Sequence, residues 1–331
     1  MQKSPEKMAV LSQLKQADTA LSLPEISQLI EHRIAERTLR RWLVAWVEAG
    51  DLIRTGKKRG TRYQFFVKNK KEKKPPLFLA FLSEPKRSAV LEQIRNLWTH
   101  TSTALEGNTL TLGDTHAILG LGLTVSGKPL REHQEIIGHA KAIDLLYQSV
   151  QQPLDKKLIY NLHKAVQTEV VNDIYKPRGA WKVEVNGTNA VTSKGKQLFI
   201  EYAHPLSVDD LMEEVIEFIN HVDVNEITPE LASKVYAKIH MAIAHIHPFW
   251  DGNGRIARLL ANILLLKSGL PPLLIDQEKR REYIECLADY QVKVGKLNEV
   301  TGVWPDESAL KDFEGFCEEA YKLTLSLLKN A

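Results

Sequence analysis

Apolar residues recur at helical spacing along most of this chain of 331 residues. Beyond residue 84 they fall at intervals of three and four positions, which gives a helix one face to bury. The predicted helices cover 86–106, 130–149, 156–171, 207–222, 229–245, 254–268 and 307–328. Residues 180–200 interrupt them with strand-like alternation and glycine-containing turns. The pattern predicts a mainly α fold, in which a helical bundle carries one β-hairpin.

The N-terminal end of the chain follows another pattern. A short helix that begins at Pro24 precedes a longer one over 38–47, whose apolar residues share one face. Two short strand-like segments come next, separated by a basic loop over 56–60. This order of elements predicts a small winged helix-turn-helix domain over 1–67.

A lysine-rich segment separates this domain from the bundle. Only Asn69 and Glu72 interrupt the lysines between residues 68 and 74, and a segment so charged and so poor in apolar residues does not join a core. We therefore predict a basic linker over 68–84 and a larger domain over 85–331.

Charge is distributed unevenly between the two ends. Residues 1–74 hold 17 Lys or Arg against 8 Asp or Glu, and the remainder holds 27 against 33. In a winged helix the second helix enters the DNA major groove while the wing touches phosphates. Basic side chains stand at both predicted places, and double-stranded DNA is therefore the expected partner, with protein contact as the alternative. The predicted DNA-binding residues are Arg37, Arg40, Arg41, Lys57, Lys58 and Arg59.

The composition also excludes several classes of protein. The longest apolar run, over 259–266, is too short to span a membrane, and no membrane partner is expected. The chain has only two cysteines, Cys286 and Cys317, which do not form a close pair, so a disulfide framework or a thiolate zinc site has no support. A reducing cytoplasm is the predicted location.

Residues 247–258, with the sequence HPFWDGNGRIAR, carry the strongest chemical signal. Pro248 cannot extend a preceding helix, while Gly252 and Gly254 on either side of Asn253 permit a tight loop whose N–H groups point the same way. A helix is predicted to begin at this loop. Free N–H groups at a helix N-terminus form an anion site.

The side chains around this loop predict what it binds. Arg255 and Arg258, one turn apart, add charge-assisted donors suited to a polyphosphate. Asp251 supplies the hard oxygen ligand with which Mg²⁺ is held against phosphates. His247 has an ordinary pKa suited to taking a proton from an attacking hydroxyl.

This segment resembles the Fic family signature at every defining position, and the resemblance extends over about 85–305. It implies an adenylyltransferase that moves AMP from ATP, with Mg²⁺, onto a Ser, Thr or Tyr hydroxyl of a target protein, which can include the enzyme itself. By this resemblance His247 is the general base and Asp251 the magnesium ligand. The implied nucleotide-binding residues are Gly252, Asn253, Gly254, Arg255, Arg258 and Tyr283, the last against adenine.

The chain differs from the commonest family pattern at two places, and a third position separates it from the family's kinase-like branch. Gln291 stands where many members have Asn, and the predicted hairpin, which resembles the family's target-positioning flap, diverges from the commonest flap sequence. Gly254 occupies the position where the kinase-like branch has Lys, which favours AMP transfer.

A second resemblance lies upstream of this motif. Ser102 and Glu106 match the family's inhibitory motif, in a helix expected around 87–107 that ends at Gly107. The resemblance implies that Glu106 pairs with Arg258 and so denies the γ-phosphate its partner.

Two other functions fit the same residues. The site could remove AMP, with Glu106 positioning a water, or it could sense nucleotide for a transcription regulator. An intact His247 and Asp251 argue against the second, because sensing phosphate requires no base. Both a monomer and a homodimer are compatible with the sequence.

Overall fold

The computed structural model describes residues 7, 10–11, 13–14, 17, 20–30, 34–48, 52–56, 60–65, 77–169 and 173–329. The chain divides into two compact units, Met1–Lys74 and Pro75–Ala331. Each unit has a hydrophobic core of its own. The predicted boundaries at residues 67 and 85 stay predictions, since residues 66–76 lie outside the described part of the chain.

Among its described residues, the first unit includes two helices and a small antiparallel sheet. These elements are β1 (Leu21–Ser22), α1 (Leu23–Leu29), α2 (Glu36–Glu48), β2 (Leu52–Thr55) and β3 (Arg62–Phe65). The sheet order is β1-β3-β2, and the register pairs Leu52 with Phe65 and Thr55 with Arg62. A reciprocal capping box between Ser22 and Glu25 begins α1. The two helices, β2 and β3 follow the predicted order, whereas β1 is a strand that the pattern did not predict.

The second unit is mainly helical, as predicted. Its helices are α3 (Glu84–Ala104), α4 (Leu112–Leu121), α5 (Leu130–Ser149), α6 (Lys156–Val166), α7 (Pro205–His221), α8 (Pro229–Ile246), α9 (Asn253–Leu260), α10 (Ile263–Lys267), α11 (Arg280–Val294) and α12 (Lys311–Lys329). One hairpin interrupts them, formed by β4 (Gly187–Val191) and β5 (Gln197–Glu201). Its turn lies at Lys194-Gly195 as predicted, whereas Asn186-Gly187 begins a strand.

Two helices were not predicted from the periodicity. The first, α4, begins at a capping box in which Thr111 and Asp114 bond each other's backbone N–H, and this T-x-x-D signal was present in the sequence. The second, α11, has buried residues on a narrow stripe between many charged ones. The predicted helix over 156–171 ends early, at Val166, where Gln167 leaves helical geometry.

Helix α8 is the central element of the larger core. Every residue from Ile239 to Ile246 is buried, so this part of the helix is surrounded by other elements. It packs against α9 and α12, and the fully buried side chains of Trp98, Tyr236 and Phe249 belong to the same core. Because both ends of the 247–258 segment are anchored in this core, the loop between α8 and α9 is held rigidly.

The predicted helix over 254–268 is divided in two, and Asn262 marks the break. This fully buried side chain donates from Nδ2 to the carbonyl oxygens of Arg258 and Leu273, at 3.0 and 3.1 Å. Its Oδ1 accepts from the Leu273 N–H at 2.7 Å. The side chain therefore satisfies backbone groups of a buried segment without regular secondary structure, which periodicity alone does not reveal.

Replacing Asn262 by Ala should destabilise the larger unit by about 2–4 kcal/mol, because the Leu273 N–H and C=O would be left buried without partners. Urea denaturation followed by tryptophan fluorescence measures the loss. Asn161, exposed on α6, is the matched control, and its change to Ala should stay within about 0.5 kcal/mol. Equal midpoints for the two variants would contradict this role of Asn262.

Candidate active site

His247 terminates α8 in a strained conformation. Its φ of 54° and ψ of 60° are left-handed, and among the described residues it is the one non-glycine residue with a positive φ. Nδ1 lies 3.3 Å from the Ala244 carbonyl oxygen, a distance at which a protonated Nδ1 donates. That bond selects the tautomer whose Nε2 carries a lone pair. Pro248 follows at once and prevents the helix from continuing.

The ring of Tyr202 covers one face of this imidazole. The two rings are parallel within 1°, and their centroids lie 3.8 Å apart. Burial lowers the pKa of His247 to about 3, an effect opposed by the Ala244 carbonyl and supported by the positive charge of Lys182. The imidazole is therefore neutral at physiological pH and can accept a proton at Nε2. The ordinary pKa expected from the sequence is wrong, because the ring is buried.

Asn253 shapes the predicted anion loop. Its Oδ1 accepts from the Phe249 N–H and its Nδ2 donates to the Phe249 carbonyl, both at 2.8 Å. Gly252 precedes it at a φ of 80°, which favours glycine. The side chain of Asn253 is 2% exposed and is engaged with the loop itself. The backbone N–H groups at the start of α9, Gly254 among them, are what the loop can present to an anion.

His163 supports the loop from α6, and sequence reasoning missed it. The Gly179 N–H donates to Nδ1 at 2.8 Å, so the proton is on Nε2, which donates to the Asp251 carbonyl at 3.1 Å. The ring also stacks on Phe249, with centroids 3.9 Å apart. Burial lowers the pKa of His163 to about 4, which keeps this tautomer in place. A histidine on the inward face of a predicted helix offers no sequence signal of such a role.

Arg258 is the most constrained cation of the site. It is 2% exposed, and it donates from Nε to Ser102 Oγ at 2.9 Å and from Nη2 to the Ser102 carbonyl at 2.8 Å. Nη2 also donates to Glu106 Oε1 at 2.6 Å, and Nη1 donates to the Tyr283 hydroxyl at 3.1 Å. The structure thus brings together four residues that the sequence analysis singled out, three on separate helices and Glu106 just beyond the end of α3.

Glu106 reaches this site from just beyond the end of α3. Burial by itself would raise the pKa of Glu106, but the Arg258 guanidinium outweighs it and holds that pKa below its usual value. The carboxylate is 42% exposed, whereas the guanidinium is 3% exposed. Arg280 holds the end of α3 through the Leu105 carbonyl, at 2.8 Å. Glu106 is therefore ionised and stays paired at neutral pH.

Gly254 is what makes room for this carboxylate. A Cβ built at residue 254 would lie 2.3 Å from Glu106 Oε1 and 3.1 Å from Arg258 Nη1. No side chain fits there unless Glu106 moves. Gly254 is therefore part of the loop and also part of the contact between the loop and Glu106, just beyond the end of α3.

The other predicted nucleotide-binding residues lie around this centre. Arg255 is 5% exposed, and its Nη1 donates to the Val166 carbonyl at 3.3 Å. Tyr283 is 3% exposed. Its hydroxyl contacts Arg258 on one side and lies 3.0 Å from His240 Nε2 on the other, so it is buried in the core next to Arg258. Its predicted contact with adenine stays a prediction, because reaching a base requires it to leave these partners.

Asp251 is the candidate magnesium ligand. Its carboxylate is 40% exposed and lies 3.6 Å from Arg255 Nη2, a loose contact. Among the described residues, no group of three or more His, Cys, Asp or Glu side chains could hold a metal by itself. Mg²⁺ is usually bound by one or two carboxylates together with phosphates, and a single accessible carboxylate beside an anion loop fits that mode.

The basic residues of the first unit form a separate set. Arg37 and Arg41 are exposed on α2, and Arg40 is paired with Glu36 through Nη2 at 2.5 Å. Lys57, Lys58 and Arg59 lie outside the described residues. Their predicted contacts with DNA stay predictions.

Comparison with known proteins assigns the fold and the motif. Residues 153–265 match the Fic/DOC family. Protein adenylyltransferase fic-1 of Caenorhabditis elegans is 31% identical over 194 residues, which are 58% of this chain and 35% of that protein. Protein adenylyltransferase Fic of Drosophila grimshawi is 30% identical over 213 residues, 63% of this chain and 39% of that protein. The chain thus spans less than half the length of these relatives.

Solved structures agree. A Fic-domain-containing signaling protein of Bacteroides thetaiotaomicron superimposes with a TM-score of 0.64 at 26% identity, covering 76% of this chain and 93% of that one. A fragment of Caenorhabditis elegans Fic-1 superimposes with a TM-score of 0.56 over 98% of this chain and 97% of that one; at 21% identity it supports the fold alone. The protein therefore carries a Fic/DOC domain, and the resemblance drawn from residues 247–258 is confirmed.

No helix among the described residues is long and apolar enough to cross a membrane.

Proposed function

We propose that this protein is an adenylyltransferase that transfers AMP from ATP to a hydroxyl of a target protein. The observation that carries the proposal is the geometry of His247: its Nδ1 is engaged by Ala244, and its Nε2 is left to act as a base beside an anion loop. The relatives that match the domain are named protein adenylyltransferases, which agrees with this assignment.

The reaction follows from the positions of these groups. The N–H groups around Gly254 bind the α- and β-phosphates, and the target hydroxyl oxygen attacks the α-phosphorus. A new phosphorus–oxygen bond forms to the target, the bond to the β-phosphate oxygen breaks, and pyrophosphate leaves. His247 Nε2 takes the hydroxyl proton. Asp251 would hold a magnesium ion, which would offset the charge of the leaving pyrophosphate.

We further propose that the described conformation is inhibited. Arg258 is the cation positioned to bind the γ-phosphate, and it cannot be deprotonated, so it needs an anionic partner. Glu106 already fills that need at 2.6 Å. A nucleotide bound beside this pair would place its γ-phosphate against a like charge, and its α-phosphate would be misaligned for in-line attack.

Replacing His247 by Ala should abolish AMP transfer and leave ATP affinity within a few-fold, since the imidazole handles the proton while the loop binds phosphate. Incubation with ATP labelled at the α-phosphate, with Mg²⁺ and a cell extract, reports transfer to targets and to the chain itself, and calorimetry reports ATP binding. His221, exposed at the end of α7, is the matched control. Undiminished labelling by the His247 variant would refute its role as the base.

Replacing Glu106 by Gly should raise AMP transfer about 10- to 100-fold, because even about 1 Å of misalignment can cost roughly 100-fold in rate. Glu106→Gln removes the charge yet can still accept from Arg258, so its rate should be intermediate. Adding Arg258→Ala to Glu106→Gly should return the rate toward the inhibited level, since the released guanidinium is the group that activation uses.

A further variant tests the same contact from the other side. Gly254→Ala introduces a Cβ that displaces Glu106, so it should raise the rate of the native chain and leave that of the Glu106→Gly chain unchanged or lower. Equal effects in both backgrounds would mean that the residue acts on the loop alone. No increase from Glu106→Gly at saturating ATP would exclude inhibition by this carboxylate.

We also propose that the first unit binds double-stranded DNA. The supporting observation is the exposure of Arg37 and Arg41 on α2, the second helix of the pair, whose other face buries Leu39 and Leu43. A helix with one buried face and one basic face meets the electrostatic requirement for docking on DNA.

Reversing both charges, Arg37→Glu with Arg41→Glu, should weaken binding of a random-sequence duplex and reduce the dependence of log Kd on log salt by about 2, near one per lost phosphate contact. Fluorescence anisotropy from about 50 to 200 mM salt measures both. Lys157→Glu with Lys234→Glu changes the net charge equally at exposed positions of the other unit and should bind like the native chain. Identical curves for the two double variants would leave protein contact as the role of this unit.

A further inference from the structure

Lys182 is a buried lysine next to the catalytic segment. It is 3% exposed, and its Nζ donates to Asn186 Oδ1 at 2.6 Å and lies 3.4 Å from the Ile246 carbonyl oxygen. Its backbone N–H donates to the Pro248 carbonyl at 2.8 Å. One residue thus binds the chain immediately before and immediately after His247.

Asn186 extends this contact in two directions. Its Nδ2 donates to the Phe249 carbonyl at 2.9 Å, and its own carbonyl accepts from the Tyr202 N–H at 3.1 Å. Tyr202 is the residue whose ring stacks on the His247 imidazole. Lys182 therefore holds Asn186, and Asn186 in turn bonds both the 247–258 loop and the backbone of Tyr202.

We propose that Lys182 is a positioning residue for His247, which it holds through Asn186 and Tyr202 and to which it presents a positive charge. The inference rests on the proposed function, in which His247 is the base. A loop that must keep a left-handed histidine in one orientation needs support on both sides, and these bonds supply it.

Lys182 also acts on His247 through its charge. A buried ammonium is costly, and a methionine of similar length would fill the same space without that cost. Burial, together with the positive charge of Lys296, lowers the pKa of Lys182 to about 7, and Glu201 opposes the shift. The charged groups that act on His247 are Lys182 and Glu106, with His245 nearby. Of these, protonated Lys182 disfavours the imidazolium and so adds to the lowering of the His247 pKa that burial causes.

The test compares Lys182→Met with Lys182→Arg in full-length Glu106→Gly protein. Methionine keeps the volume and loses both the donors and the charge; we expect kcat to fall about 10-fold or more while the KM for ATP changes less than about 3-fold. Arginine keeps donors and a permanent charge, and should restore most of kcat. Thermal unfolding midpoints confirm that both variants are folded.

A second readout does not depend on transfer. NMR titration of histidine-labelled protein reports the pKa and tautomer of His247 in the native background. Lys182→Met removes a like charge, so the pKa of His247 should rise and the acidic limb of the pH profile should move to higher pH. Lys182→Arg should leave the pKa of His247 unchanged. Asn186→Ala should lower kcat and change that pKa less than Lys182→Met does.

The outcomes separate this inference from the proposed function. A chain that transfers no AMP in any background, yet shows the shift of the His247 pKa in Lys182→Met, would refute the proposed reaction and retain the positioning role. Native kcat and an unchanged His247 pKa in folded Lys182→Met would overturn the inference. A fall in kcat that arginine does not restore, with no change in that pKa, would also overturn it, since it would mean that the residue is needed only for packing.

Discussion

The Arg258 guanidinium is the interaction on which the architecture of this site depends. A buried guanidinium cannot lose its proton, so it must be surrounded by acceptors. Two helices supply them, α3 through Ser102 and the adjoining Glu106, and α11 through Tyr283, while a third helix, α9, carries the arginine itself. These bonds join the end of α3 to the motif. Any anionic ligand that binds Arg258 must compete with the Glu106 carboxylate, which is already paired with it.

The loop beside this cation is held at several points, by bonds within the segment and by bonds from other elements. Asn253 bonds both backbone groups of Phe249, His163 binds the Asp251 carbonyl from α6, and Lys182 binds the carbonyl groups on both sides of His247. Such support stabilises the left-handed backbone of the histidine, which costs on the order of 1–3 kcal/mol. A histidine held in this way would need little reorganisation to act as the base that we propose.

Several histidines of the larger unit are kept neutral, each by burial. The pKa values of His163, His245 and His247 all lie well below the ordinary value, and those of His139 and His240 are lowered by burial and by the charge of Arg258. The site therefore combines permanent cations, which attract phosphate, with neutral imidazoles, of which His247 can accept a proton. That division of charge suits phosphoryl chemistry at neutral pH.

The sequence by itself determined the mainly helical fold, the hairpin and the Fic motif, because helical periodicity and a dense local segment such as 247–258 depend on neighbours along the chain. Through its resemblance to the Fic family, it also indicated that the motif containing Ser102 and Glu106 contacts Arg258. Only the tertiary structure decided that Asn262 breaks a predicted helix, that Tyr283 is buried next to Arg258, and that His163 and Lys182 support the loop. Those roles depend on contacts between residues far apart in the chain, about which the spacing of residues within a single helix or loop carries no information.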